Sequence, residues 1–445
     1  MATPDWVVPP EHTADGADVP RHDANYLSLR VVRVTAVIQV VLLSALVLLS
    51  SYWRFPASES LSFPVADGWC DGDLEGIASH CFGDFGYQLA NALLTDPWST
   101  GLNPYPPSVY VLFDGFRILA GALGYNSSLA VYMSTLAVSM GATCWLVCRR
   151  TALGRKDPVA VSIVVLLGWG LISALDRGNN VVWLMPLAVI LLAPGARRGR
   201  VQWWAVLILA LVKPQFLVVG ASFGLIALVR MALMFGAAQV LATALLLGSS
   251  GLVEGLRSWV SSVISNDDYP IGLGQNSSLD SAVETISQAL PAWRFIELGS
   301  DVVTRIPIGF VFAASYLALA ITSTRRRASG SGPSLDILAL GMIVAVMTPA
   351  VVFPYYAVVV QIVTLMWLDS KGRVEVGADE VLSRASLQVP LIVVLFVLSS
   401  VTIVDPSSNL HLSVVLLPLA ALVFIPYVVL RTLTWTGRSL PDGSE

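Results

Sequence analysis

The residues able to do chemistry in this chain sit at the edges of apolar runs. Asp84 lies in "CFGDFGYQLANALL" (81–94), shortly after the first strongly hydrophobic stretch. A carboxylate between Phe82 and Phe85 at a membrane surface suits general-base work on a substrate hydroxyl. It equally suits the cap of a helix over Phe85–Leu94. Arg177, Asn179 and Asn180, in "LDRGNNVVW", put a cation and two amides at a hairpin tip between short apolar runs. Such a tip serves as an anion site or as a helix-end anchor. Lys213, in "LVKPQF", precedes a proline that removes a backbone donor and breaks the helix. Phosphate binding is its favoured reading. In "NDDYPIGLGQNSSLDS" (266–281), Asn276 and Ser277 stand among acids, amides and hydroxyls beside Tyr269. That mixture fits sugar recognition or a solvated loop.

The elements that must position these residues are membrane helices. Of 445 residues, 55% are hydrophobic and 13% charged, with a mean hydropathy of +0.72. Soluble domains carry about 25% charged residues, so lipid is the solvent for most of this chain. The net charge of -4 gives no footprint for nucleic acid. A crossing helix needs roughly 20 apolar residues. Candidate runs are 31–51, 107–124, 128–148, 158–174, 180–193, 201–212, 215–229, 231–250, 301–321, 335–353, 355–368, 388–404 and 413–430. The run Val31–Ser50 is too long for the apolar core of a signal peptide and lacks a small-residue cleavage site after it.

Basic clusters set direction. Arg30 and Arg33, "RRTALGRK" (149–156), "ARRGR" (196–200), "RRR" (325–327), "KGR" (371–373) and Arg431 with Arg438 fall inside. The segments 52–106, 175–180, 213–215, 251–300, 353–356 and 405–412 then fall outside. Between 106, outside, and 149, inside, two candidate helices occupy room for one crossing. One of them must therefore cross incompletely, or a segment near 86–105 must enter the membrane. The expectation is an all-α polytopic membrane protein with about 12 crossings. It has a disordered cytoplasmic N-terminus (1–30), a single membrane domain (31–431) with outer loops 52–106 and 251–300, and a cytoplasmic tail (432–445).

Four cysteines are present. Cys70 and Cys81 bracket an acidic outer loop, and a disulfide between them would indicate an oxidising compartment. Cys144 and Cys148 read as buried helix thiols, since no partner ligands accompany them. "DGDLEG" (71–76) begins like a calcium loop, but Phe82 occupies the place of its closing glutamate. No Walker loop, GxGxxG or HExxH motif occurs. No metal or cofactor is expected.

Taken in order, these motifs resemble glycosyltransferase family 87, which has the GT-C membrane fold. The resemblance rests on "GDFGYQLANALL", "NPYPPSVYVLF", "RGNN", "LVKPQF", "GQNSSLDS" and "TPAVVFPYY", and covers about residues 80–370. It implies an inverting transfer of a mannosyl or arabinofuranosyl group from a polyprenyl-phosphate donor. The acceptor is a glycolipid or polysaccharide hydroxyl outside the cytoplasmic membrane of an actinobacterial envelope. Asp84 would be the base, and Arg177 and Lys213 would hold the donor phosphate. Tyr87, Tyr105, Asn179, Asn180, Asn276, Ser277, Tyr355 and Tyr356 would bind substrate. "FPYY" lacks the histidine common in mannosyl members, which leans toward the arabinofuranosyl branch. The competing class is a multi-span lipid or sugar transporter or flippase, which also has broken helices and intramembrane charges.

Overall fold

The computed structural model describes residues 24–53, 83–99, 105–176, 178–193, 198–264, 308–325, 333–347, 356–371, 385–400, 404–405 and 410–411. These residues are mostly helical; a single two-residue antiparallel pair, Val404–Asp405 with Leu410–His411, is the one sheet element among them. Among the described residues two helices, Tyr125–Arg150 and Leu225–Ile264, are long and apolar enough to cross a membrane. Shorter apolar helices surround them, including Leu335–Met347, in which Ile337 to Met347 are all buried.

The described residues open with α1 (Ala24–Trp53), then α2 (Gly83–Asn91) and α3 (Pro107–Leu123). Gly124, at φ 88, joins α3 to α4 (Tyr125–Arg150), a conformation that a side chain would strain. Next come α5 (Ala152–Lys156), α6 (Pro158–Leu166) and α7 (Trp169–Asp176). The run 158–174, expected as one helix, is thus broken after Leu166. Packing is close there: a side chain at Gly168 would collide with Gln361, and one at Gly170 with the Val358 backbone. Gln361 itself donates to the Val164 carbonyl.

The run 180–193 starts as a 3-10 turn, Asn180–Trp183, and continues as α8 (Leu184–Leu192). α9 (Arg198–Val212) ends at Lys213. The ten residues Pro214–Phe223 then form a 3-10 helix rather than an α-helix. The expected boundary at Arg230 is absent. α10 (Leu225–Ile264) runs through it without interruption, with Arg230 exposed, and kinks instead at Gly248 (φ 70). The exposed arginine at the run's edge mimicked a loop, whereas the actual bend needs glycine's positive φ.

Four further helices follow: α11 (Ile308–Arg325), α12 (Leu335–Met347), α13 (Ala357–Lys371) and α14 (Ala385–Ser400). One continuous core runs from Val32 in α1 to Phe396 in α14. α13 packs on α14, α12 and α8, and the 3-10 helix 214–223 packs on α9, α12, α10 and α11.

Candidate functional site

Four segments far apart in sequence converge at one end of this bundle. Asp84 lies in the first turn of α2 rather than capping a helix over Phe85–Leu94. Phe85 locks that turn in place, buried with its ring centroid 4.5 Å from Tyr132 and 5.8–6.2 Å from Tyr125, Phe113 and Phe116. Asp84 is only half-buried, so the burial of Phe85 fixes its neighbour at the edge of the core.

Asn179 is completely buried and makes three directed contacts. Its Oδ1 accepts the Val181 N–H at 2.8 Å, capping the 3-10 turn. Its Nδ2 donates to Asp84 Oδ2 at 2.6 Å and to the Tyr105 hydroxyl at 3.2 Å. The cap therefore fixes the amide, and the amide fixes the carboxylate. Tyr132 donates to the Gly178 carbonyl at 2.7 Å and ties the same hairpin tip to α4.

Lys213 is buried, with its Nζ 3.9 Å from the Tyr105 ring centroid and 5.6 Å from that of Tyr356. Ring faces attract a cation electrostatically. Burial pushes the ammonium down to about 7, and the charge of Asp84 opposes that shift. Burial first, then the Asp84 charge, push the Tyr105 hydroxyl well above its ordinary value, so it stays protonated. Gln215, one residue past Pro214, donates to the Tyr356 hydroxyl at 3.3 Å and steadies the second ring.

Of the residues singled out from sequence, Asp84, Tyr105, Asn179, Lys213 and Tyr356 are thus brought together. Asn180 lies beside Asn179, buried, and neither polar atom of its side chain has a hydrogen-bond partner among the described residues. Buried amides in that state are rare and call for a ligand or water. Tyr87, half-buried in α2, receives the Asn91 amide on its carbonyl at 2.8 Å. Arg177, Asn276, Ser277, Tyr355, Cys70 and Cys81 lie outside the described residues. Cys144 and Cys148 are free thiols, half-buried on α4 rather than fully buried. No cluster of metal-ligating side chains occurs among the described residues.

Two contributors carried no motif signal. Trp98, fully buried, donates its indole N–H to the Tyr105 carbonyl at 2.8 Å and so holds the tyrosine that faces Lys213. Gln215 was visible only as the residue after "KP".

The fold and the cluster define a helical protein with membrane-length apolar segments and a carboxylate–amide–ammonium–aromatic site at helix ends. No family model, curated protein or solved structure matches the chain.

Proposed function

We propose that this protein is a polytopic membrane glycosyltransferase with a GT-C-like bundle. It moves a mannosyl or arabinofuranosyl group from a polyprenyl-phosphate donor to a cell-envelope glycolipid or polysaccharide hydroxyl on the extracytoplasmic face of the cytoplasmic membrane. The observation that carries this reading is the convergence of Asp84, held by Asn179, with Lys213, held between Tyr105 and Tyr356. A base and a cation in one cluster are what a displacement at an anomeric carbon with a phosphate leaving group requires.

In that reaction Asp84 accepts the proton of the acceptor hydroxyl as its oxygen attacks the anomeric carbon. The bond from that carbon to the phosphate oxygen breaks, and the electron pair leaves on the polyprenyl phosphate. Lys213 stabilises the charge gained there. Asn179 sets the orientation of the carboxylate, and the tyrosine faces hold the ammonium until the donor arrives. The reacting groups lie at helix ends, in the first turn of α2, at the 179 cap and after α9. A translocation pathway would instead place them at the midplane, which favours the enzyme.

The reading includes a path of about 12 crossings. Tyr132 is level with the hairpin tip at Gly178. From Tyr132 to Arg150, α4 spans about 27 Å at the helical rise, close to the ~30 Å of hydrocarbon. The remainder of α4 and all of α3 then stand on the outer side. α3 carries the Asp114–Arg117 pair, a cost at membrane depth, so in this reading it is α3 that stays outside. The 3-10 helix 214–223 covers about 20 Å at ~2 Å per residue. It ends at Gly224 against Thr324, beside the basic 325–327 run.

The test is transfer in vitro from mannosyl and arabinofuranosyl polyprenyl phosphates to a membrane-lipid extract. Product from one donor, dependent on Asp84, is expected. No product from either donor sinks the reading.

A further inference from the structure

A cleft of about 380 Å³ opens between the turn 92–97, α3 and the part of α10 just before its Gly248 kink. Ligand pockets run from about 300 to 1,000 Å³. Its walls are of two kinds. On one, Arg117 and Asp114 pair at 2.6 Å, with side chains 38% and 34% exposed. On the other, Leu93 and Leu94 are 70% and 43% exposed, and Leu246 lines the cleft with them. Tyr110, fully buried, forms part of the floor.

That floor is linked to the site around Asp84 through Trp98 and Gln88. The Trp98 ring stands edge-on to Tyr110 at 5.4 Å, while its indole N–H holds the Tyr105 carbonyl. The Tyr110 hydroxyl donates to Gln88 Oε1 at 2.5 Å. Gln88 lies one helical turn along α2 from Asp84, on the same face. From Asp84 to the end of α2 is about 10 Å at the helical rise. Gln239 bonds both the N–H and the hydroxyl of Ser108, fixing α3 against α10 and thus the opposite wall.

We propose that this cleft is the acceptor site and takes the neutral, hydroxyl-rich head of a lipid-linked glycoside. The inference rests on the transferase reading above. A carboxylate accepts hydroxyl protons and a guanidinium donates to hydroxyl oxygens, so the pair offers both halves of polyol recognition. The two charges cancel, which disfavours a phosphate there and leaves that group to Lys213. Leu93 and Leu94 give the lipid chain an apolar exit from a polar head site.

The experiment is equilibrium dialysis on the full chain in nanodiscs. The probes are octyl α-mannoside, octyl α-arabinofuranoside, their methyl counterparts and farnesyl phosphate. At least one octyl glycoside should bind, more tightly than its methyl counterpart. Asp114→Asn, which keeps the side chain's shape, and Leu246→Trp, which fills the cleft, should each weaken that binding about tenfold. Farnesyl phosphate binding should be unchanged in both, which also shows that they are folded. Failure of both octyl glycosides to bind overturns the proposal, as does binding indifferent to both substitutions. Equal affinity for methyl and octyl forms overturns the lipid-linked part. If octyl glycoside binding depends on Asp114 while farnesyl phosphate does not bind the wild type, the transferase reading falls and the cleft stands.

Discussion

The two ends of this bundle hold charge in opposite ways. At one end Asp157 accepts the Ala160 N–H at 3.0 Å and the Arg33 Nε–H at 2.6 Å. Nearby, Asp369 accepts the Leu153 N–H at 2.8 Å, and Thr151 caps α5 through the Gly154 N–H at 2.8 Å. Each anion there answers a donor left over at a helix start. At the other end a buried ammonium lies over two aromatic faces, near a carboxylate positioned by a side-chain amide. At the first end backbone answers each charge locally; at the second, side chains hold it. The difference shows in protonation. Donated hydrogen bonds, first from Ala160 and then from Arg33, hold the Asp157 carboxyl below its usual range, whereas burial lowers Lys213 toward its neutral form.

The comparison breaks most sharply at Asp84. Asp84→Asn keeps the shape and the contact to Asn179 but cannot take a proton, so transfer should be lost while membrane insertion is unchanged. Turnover above about a tenth of wild type, measured with the active donor, would falsify Asp84 as the sole base. Lys213→Met should lower kcat roughly 10²-fold, the scale of losing one preorganised electrostatic donor. Arginine at 213 should rescue only partly, because a planar fork does not fit a space shaped for a compact ammonium. A rise in acceptor KM alone, with turnover intact, would move Lys213 out of the phosphate site. Its titration gives a second handle. Below about 7 the free enzyme carries the ammonium, and above it the neutral amine. Donor kcat/KM should therefore fall as pH rises through about 7, and Lys213→Arg should remove that fall. A profile equally steep in Lys213→Arg assigns the titration to another group.

A smaller effect is expected at Asn179. Asn179→Asp replaces the donor to Asp84 with a second carboxylate, and like charges side by side resist joint ionisation. Turnover should drop, and the activity optimum should move to higher pH, since a raised base must lose its proton before it can act. Asn179→Ala should lower turnover without that displacement. If both variants shift the optimum alike, the amide acts on packing rather than on the carboxylate.

Much of this end was legible because hydropathy marks where polar residues interrupt apolar runs. Asp84, Asn179, Lys213 and Tyr356 all sit at such edges, and topology placed them on one side before any geometry was known. Tyr105 entered through its proline-rich motif. What hydropathy cannot read is backbone shape. The 3-10 run after Lys213 and the α-helix after Gly224 are equally apolar, so their difference was invisible. The lack of room for a side chain at Gly168 comes from Gln361, almost two hundred residues away, and only packing reveals it. Arg230 was mistaken for a boundary because a charge at the end of an apolar run signals a loop only when the backbone also turns. Trp98 left no trace, since a tryptophan in a turn has no period.

The smallest expected effect comes from the opposite end, and it sharpens the contrast. Arg33 is 57% exposed in its pair with Asp157, and pairs that open to solvent contribute about 0–1 kcal/mol. Arg33→Ala should therefore barely move Tm and leave transfer intact. Asp157→Ala should cost more, because it also removes the cap on α6, a loss of about 1 kcal/mol. The pH dependence follows from the direction of the shift. Because the folded carboxyl is held below its unfolded value of about 3.9, its contribution is fully present above that value. It is lost as pH falls through the lower folded one. The gap in Tm between wild type and Asp157→Ala should be constant from neutral pH down to about 5 and close at pH values below 4. A gap that persists unchanged into acid would show that Asp157 acts through packing and not through its charge. The two ends would then differ less in how they hold charge than their geometry indicates.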